Sequence, residues 1–522
     1  MFRHLLLWGL ILTALAFGTE GCSSNPASTS NEKGTLIIFA GDVPLCNLLS
    51  FRTNIASLTL TPQGGGGSVS VLAANTFIPL DFAALKDTAA LADVVSVSPG
   101  TYTGGQVQFS ASSMALFDPA VNPPIDVITP TLSSENVNFT INPPLVIKAC
   151  SSTSTTPCQA AAMNIDFNLP QSIELTTQGQ VNVTGSPGSL TVKVTPVVNA
   201  TTLTASGGQG FGTLDDFHGY ILSVNNTSTN SNFIGSFVVQ TLPGFNVTSS
   251  LEGAGPAITV NLTKNSQLIG AAALNQITTG NFVEINGYVD SQGNFIANTV
   301  VIEDQTDLDN DRTAFLGYVI SVTKDSSGNL TQFQLYVHDQ EPNTSAGTGN
   351  SVPLDTPPVI VNVSTSTGFH FSAPAVNFPN LTPDSTFLNV GQQLVVHGTY
   401  TAPVAATPPA TTPPSTVDAS NIYIPLQTVS GNFSSLLTAG ADNVSGAFRF
   451  IPCFTLFQGQ NIYVITNPQT QFINVNGLAG LIPSPQLQVR GLLFFDQSGG
   501  SINGVQIPPN SYVLLANRVH LF

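Results

Sequence analysis

The stretch GYILSVNN (residues 219–226) returns about a hundred residues later as GYVISVTK (residues 317–324), and a looser third copy, VSGNF, occupies residues 429–433. Neither full copy carries a carboxylate, a histidine or a cysteine, so its recurrence points to structure and not to chemistry. Glycine followed by alternating β-branched and small residues reads as a strand. Downstream of each copy the same succession follows: FVVQT, AITVNLT and GNFVEINGYV in the first, FQLYV, VIVNVST and GQQLVVHGTY in the second, AFRFI, NIYVIT and PQLQVRGLLFF in the third. An apolar doublet then precedes Gly287, Gly398 or Gly491. The closings also share a template: Ala297-Asn298-Thr299-Val300, Ala419-Ser420-Asn421-Ile422 and Ala516-Asn517-Arg518-Val519. A glycine at one fixed place in a strand marks a bulge or bend where a small barrel turns its corner. Three such units predict a tandem array of small OB-like β-barrels over residues 214–304, 313–425 and 427–522.

Upstream, SGGQGFG (residues 206–212) reads as a hinge. Residues 34–205 hold short alternating strands such as TLIIFA, ASLTLTP and LTVKVTPVV, bounded by Gly, Pro, Asn and Ser, the spacing of a β-sandwich. One helical turn is expected in DFAALKDTAALADV, where Leu85, Leu91 and Val94 have loose helical spacing. The expected fold class is therefore all-β, a sandwich followed by three barrels.

Only 8% of residues are charged, against about 25% in an ordinary soluble domain. The hydrophobic fraction of 42% argues for a folded body and against disorder. Twelve Lys plus Arg face 29 Asp plus Glu, a net charge of -17 with no basic cluster in the body, which excludes nucleic acid as a natural partner.

The start, MFRHLLLWGLILTALAFGTEGCSS, has export-signal grammar: Arg3 and His4, an apolar run from Leu5 to Phe17, then small and polar residues. The run is shorter than the ~20 residues of a spanning helix. Residues 23–33, polar and aperiodic, read as a flexible tether. Of five cysteines, Cys22 belongs to this start, leaving Cys46, Cys150, Cys158 and Cys453, an even set for an oxidising compartment. Cys150 and Cys158 flank a polar loop, SSTSTTP, and are the expected disulfide, whereas Cys46 and Cys453 are either a second bridge or two buried thiols.

Gly21-Cys22 resembles the bacterial lipoprotein signal, which implies lipid on Cys22, a membrane attached through that lipid, and, with Ser23 following, an outer-membrane address. Ordinary cleavage after a small residue is the other reading. The segments GTLIIFAGDVP, IPLDFAALKD, SPGTYTGGQVQF and LTVKVTPVV resemble the domain of unknown function 4382 of bacterial envelope lipoproteins. The repeats, with G-x-V-x-x-V openings and A-x-x-V endings, resemble the domain of unknown function 5666 of exported bacterial proteins. Neither resemblance brings an activity with it.

Asp307, Asp309 and Asp311 in EDQTDLDNDR alternate as carboxylates that converge on a hard cation such as Ca²⁺. Arg312 and Tyr318 stand where a helical calcium loop needs glycine and glutamate, so a solvated acidic linker is the competing reading. Ser321 and Lys324 share the S-x-x-K spacing of penicillin-interacting enzymes without their partner motifs. His218, His338, His370, His397 and His520 lack ligand spacing and read as structural. Tyr220, Phe237, Tyr288, Tyr318, Phe333 and Tyr400 are either sugar platforms or core. The expected function is a non-catalytic, lipid-anchored envelope protein, not an enzyme and without a required cofactor, presenting its modules to a glycan or protein partner. An exported polysaccharide hydrolase with unlocated carboxylates is the alternative.

Overall fold

The computed structural model describes residues 32–521, apart from residues 42–44, 47, 73–76, 86–89, 120, 122–123, 151–158, 177–180, 186–189, 206–209, 229, 242–256, 270–272, 303–311, 342–357, 372–380, 403–413, 458, 483–485 and 503. The expected sites at Cys22, Cys158, Asp307, Asp309 and Asp311 lie outside the described residues. Among the described residues no helix is long and apolar enough to cross a membrane.

The chain is all-β. In the N-terminal unit, Gly34–Gly41 lies between Ala90–Val97, antiparallel, and Ala161–Phe167, parallel, with Val198–Leu203 beyond. Three long strands, Leu48–Pro62, Gly100–Phe117 and Asn136–Ile147, form the opposing layer. The layers join through one registered pair, Ala200 opposite Ile141. Leu36, Ile38, Phe51, Phe109, Phe167 and their neighbours from both layers fill one core, so the arrangement is a sandwich closed along one corner. The expected helical turn is a 3₁₀ turn, Phe82–Ala84, capped by the Asp81 carboxylate. Leu91 and Val94 belong instead to Ala90–Val97, where Leu91 pairs with Phe39 and Val94 with Ile37.

Each repeat closes into a five-stranded circuit. In the first, Gly212–Asn225 pairs with Gly235–Thr241, which pairs with Ala257–Ile269. That strand runs parallel to Phe295–Ile302, and Phe282–Val289 returns to the first strand. The second repeat follows the same path through Arg312–Lys324, Leu330–Glu341, Val359–Asn362, Thr416–Ile424 and Gln393–Thr401. The third does so through Leu426–Ala439, Gly446–Pro452, Ile462–Thr466, Ser511–Leu521 and Gln486–Asp496. Third and fifth strands are parallel in every copy, the connectivity of an OB-type barrel. A 3₁₀ turn precedes each fourth strand, at Leu274–Gln276, Ser385–Phe387 and Leu478–Gly480, and each is followed by a buried plug, Ile277, Leu388 or Leu481.

The repeated glycines have a steric cause. A Cβ on Gly219, Gly317 or Gly431 would stand 2.2, 2.2 or 2.1 Å from the carbonyl oxygen of Gln240, Tyr336 or Ile451 on the next strand. On Gly287, Gly398 or Gly491 it would meet the Ile296, Asp418 or Leu515 carbonyl at 2.2, 2.4 or 2.1 Å. Both positions are strand crossings that only a residue without a side chain can make. The ladder between fourth and fifth strands slips at Asn286/Gly287, His397/Gly398 and Arg490/Gly491, the expected bulge.

The closing alanines have a partner the repeats conceal. The third strand breaks its register at a hydroxyl residue, Ser266, Thr367 or Thr470. Each hydroxyl accepts from the backbone N–H three residues earlier, on Thr263, Ser364 or Asn467, at 2.9, 3.0 and 3.0 Å. Each donates to the carbonyl of Ala297, Ala419 or Ala516, at 2.5, 2.9 and 2.7 Å. One side chain therefore satisfies both backbone groups that the break would leave unmatched.

The N-terminal unit touches all three barrels. Ile37, Phe39, Leu91 and Ala162 pack into one cluster with the first barrel's Leu214, Phe217 and Phe295. Leu49, Ala115, Phe117 and Ile125 pack with Tyr318, Ile320 and Tyr336 of the second barrel and with Phe454 and Leu456 of the third. The second and third barrels also meet directly: the Phe387 and Phe494 rings stack at 4.9 Å, and Gln392 Nε2 donates to Leu493 O at 2.9 Å.

Candidate functional site

The densest chemistry lies where the N-terminal unit meets the second and third barrels. On Leu330–Glu341, Phe333, Leu335 and Val337 point into the barrel, so alternation turns Tyr336 and His338 outward. Tyr318 stands opposite Tyr336 across the ladder. From the facing unit, Leu48–Pro62 brings Ser50 and Arg52. The Ser50 and Tyr336 hydroxyls share a hydrogen bond of 2.9 Å, and Arg52 donates from a guanidinium NH2 to the His338 carbonyl at 2.6 Å.

Arg52 has 0% of its surface exposed, and its Nε lies 3.5 Å from Asp81 Oδ2. Asp81 Oδ1 accepts the N–H groups of Phe51 and Ala83 at 2.9 and 3.1 Å. A buried cation thus has a carboxylate on one side and a backbone carbonyl from another unit on the other. His338 is buried, and Gln393 Nε2 lies 3.1 Å from its Nε2. The Tyr318 ring lies 5.2 Å from His338 and 5.4 Å from Phe454. The Gln427 amide oxygen accepts Gln393 N–H at 2.8 Å. Tyr512, its phenol raised far above the ordinary value by burial, donates to Val390 O at 2.6 Å.

A second constellation lies on the outer face of the third barrel. The register sets Thr428, Arg490 and Arg518 in one row across three strands, and Ser430, Gln488 and His520 in the next. Side chains directly opposite share a face. Among the described residues, the Thr428 and Ser430 hydroxyls and both amide atoms of the fully buried Gln488 have no hydrogen-bond partner. Thr428 and Ser430 line the same small cleft as Leu45, Tyr318 and Cys453, so this end of the rows belongs to the junction. Arg490, which is buried, and Arg518, which is half-buried, stand opposite each other across this ladder.

The expected site residues fare as follows. Cys150 is disulfide-bonded. Among the described residues no group of three or more His, Cys, Asp or Glu gathers at one point. Phe237, Phe333, Tyr318 and Tyr400 are buried core or junction residues, whereas Tyr220 and Tyr288 are half-buried. Ser321 Oγ bonds Gln334 Oε1 at 3.0 Å across the ladder, a strand contact. The histidines are less scattered than their spacing implies: His370 stacks on Tyr423 at 4.9 Å, His397 meets the same ring edge-on at 5.1 Å, and His370 Nε2 lies 3.2 Å from Asn421 Oδ1. Sequence reasoning missed Arg52; the signal was a lone arginine inside an apolar strand of a chain with 12 Lys plus Arg. Asp325 and Asp442 are turn residues whose carboxyls are held below the usual range by hydrogen bonds, foremost from the Asn329 and Ser445 side chains.

No family model matches the chain, and no curated protein matches it. Among solved structures, Drosophila Unr CSD456 aligns at 8% identity over 59% of this chain and 97% of that one, with a TM-score of 0.13, too low to bear on fold or function.

Proposed function

We propose that this is an exported, lipid-anchored and non-catalytic envelope protein that holds a rigid surface against a glycan or envelope-protein partner. The observation that carries the reading is the junction: Arg52 and Ser50 bond the second barrel's His338 carbonyl and Tyr336, and Gln427 and Tyr512 of the third barrel bond Gln393 and Val390 of the second. A multi-domain chain joined only by linkers moves by default; this one is locked, which suits presentation of a surface. Arg518 and His520, half-buried at the ends of the rows that begin at Thr428 and Ser430, supply polar side chains within reach of such a partner. The first test is labelling with palmitate in a bacterial host, with label on the native chain and none on Cys22→Ser. The second is a glycan array probed with residues 34–522, with and without chelator, and with Arg518→Ala. Binding weakened by the substitution supports the reading, and release of shortened sugars from a polysaccharide overturns it in favour of a hydrolase. Signal lost on chelation, and lost equally in Asp309→Asn, would support calcium at Asp307, Asp309 and Asp311.

A further inference from the structure

We infer that Cys46 and Cys453 are an oxidisable pair whose disulfide clamps the N-terminal unit to the third barrel. The two residues stand about four hundred positions apart in sequence, yet the fold brings Cys46 against the segment that follows Cys453. Cys46 O accepts the Thr455 N–H at 3.2 Å, two residues beyond Cys453. Cys453 is fixed in turn, its own N–H donating to Ser430 O at 2.9 Å. One small cleft is lined by Leu45, the neighbour of Cys46, together with Cys453, Tyr318, Phe454 and Phe457. Both cysteines are half-buried thiols, not joined as a disulfide in this structure. A disulfide needs its two Cα atoms within about 7 Å, and these backbone contacts hold the two segments against each other rather than on free loops. Cys150 is already bonded, so a disulfide elsewhere in the chain fits an oxidising compartment.

The chemistry needs an external disulfide, protein or small molecule, as oxidant. The thiolate of one cysteine, its proton released to water, attacks a sulfur of that disulfide. A mixed disulfide forms and one thiolate departs. The second cysteine, also deprotonated, attacks the protein sulfur of the mixed disulfide, forming the Cys46–Cys453 bond and expelling the second thiolate. Two electrons pass to the oxidant, which ends as two thiols. The junction around Arg52 and Tyr336 has already set the geometry, so closure joins surfaces that are in contact and leaves the barrels where they are.

The experiment uses residues 34–522, equilibrated with oxidised glutathione, alkylated and digested without reductant. Peptide mapping is expected to show a linked species containing Cys46 and Cys453, with both cysteines resistant to alkylation. The bond spanning Cys150 is the internal control that oxidation took place. Cys46→Ser and Cys453→Ser should each leave one alkylated thiol and no linked species. Adding reductant should lower the melting temperature of the native chain by several degrees more than that of the double variant, which keeps the Cys150 bond. Formation of the Cys150 bond while Cys46 and Cys453 remain alkylatable overturns the inference, as does linkage of either one to Cys150. The assay is independent of any glycan or membrane readout, so it stands or falls apart from the proposed function.

Discussion

Arg52 offers the sharpest test of the junction. Arg52→Met keeps much of the volume and removes the charge, leaving Asp81, itself 5% exposed, without its cation. The His338 carbonyl, bonded at 2.6 Å, loses that donor as well. Removing one member of a buried pair costs about 3–5 kcal/mol, because the other charge stays desolvated. Since 1.4 kcal/mol is a factor of ten, the ratio of folded to unfolded chains should fall by roughly two to four orders of magnitude. The double variant Arg52→Met, Asp81→Asn should recover much of that loss. An asparagine oxygen can still accept the Phe51 and Ala83 N–H groups, and no charge remains to be compensated. The assay is urea unfolding followed by tyrosine fluorescence, with Tyr318 and Tyr336 as reporters in the junction itself. A single variant within about 1 kcal/mol of the native protein, or a double variant no more stable than the single one, would refute the assignment of Arg52 as a buried, charge-matched weld.

Gly491→Ala places a methyl 2.1 Å from Leu515 O and should destabilise the third barrel by about 1–3 kcal/mol or more, while Gly67→Ala, with open space around it, stays within about 0.5 kcal/mol of native in the same urea assay. Thr470→Val removes the hydroxyl between Asn467 N and Ala516 O and should cost about 2–6 kcal/mol, since two buried backbone groups lose partners at ~1–3 each. Thr470→Ser should restore most of it; equal loss in both variants would show that the methyl, not the hydroxyl, matters. Burial pushes the Asp166 carboxyl above 3.8, so the folded state holds that proton to higher pH than the unfolded chain, and stability declines as pH rises through the folded value. Asp166→Asn is therefore expected to raise the urea midpoint at neutral pH and to match the native protein below pH 3.8, and a variant less stable at neutral pH would contradict the sign.

The barrels were legible because their constraint is local. A strand crossing excludes every side chain at Gly317 and Gly398 whatever surrounds it, so the glycine recurs even where the rest of the copy has drifted. The closing alanine was visible, but its reason was not: Ala516 O answers to Thr470, forty-six residues earlier, and sequence spacing differs among the copies. The junction was opaque for the same reason in stronger form. Tyr318 and Tyr220 occupy the same place in the repeated phrase, yet one is buried against another unit and the other is half-exposed. What decides between them is which barrel the N-terminal unit reaches, and no local pattern encodes that. His370, His397 and Tyr423 likewise meet only through strand register.

The placement of Gly34–Gly41 has a mechanical consequence. The strand that follows directly on the proposed tether is flanked on both edges, parallel to Ala161–Phe167 and antiparallel to Ala90–Val97. Tension applied at residue 34 therefore runs along two ladders at once, loading their hydrogen bonds together in shear instead of peeling them open singly. A chain moored at that end would resist being dragged away from its surface through the strand nearest the mooring.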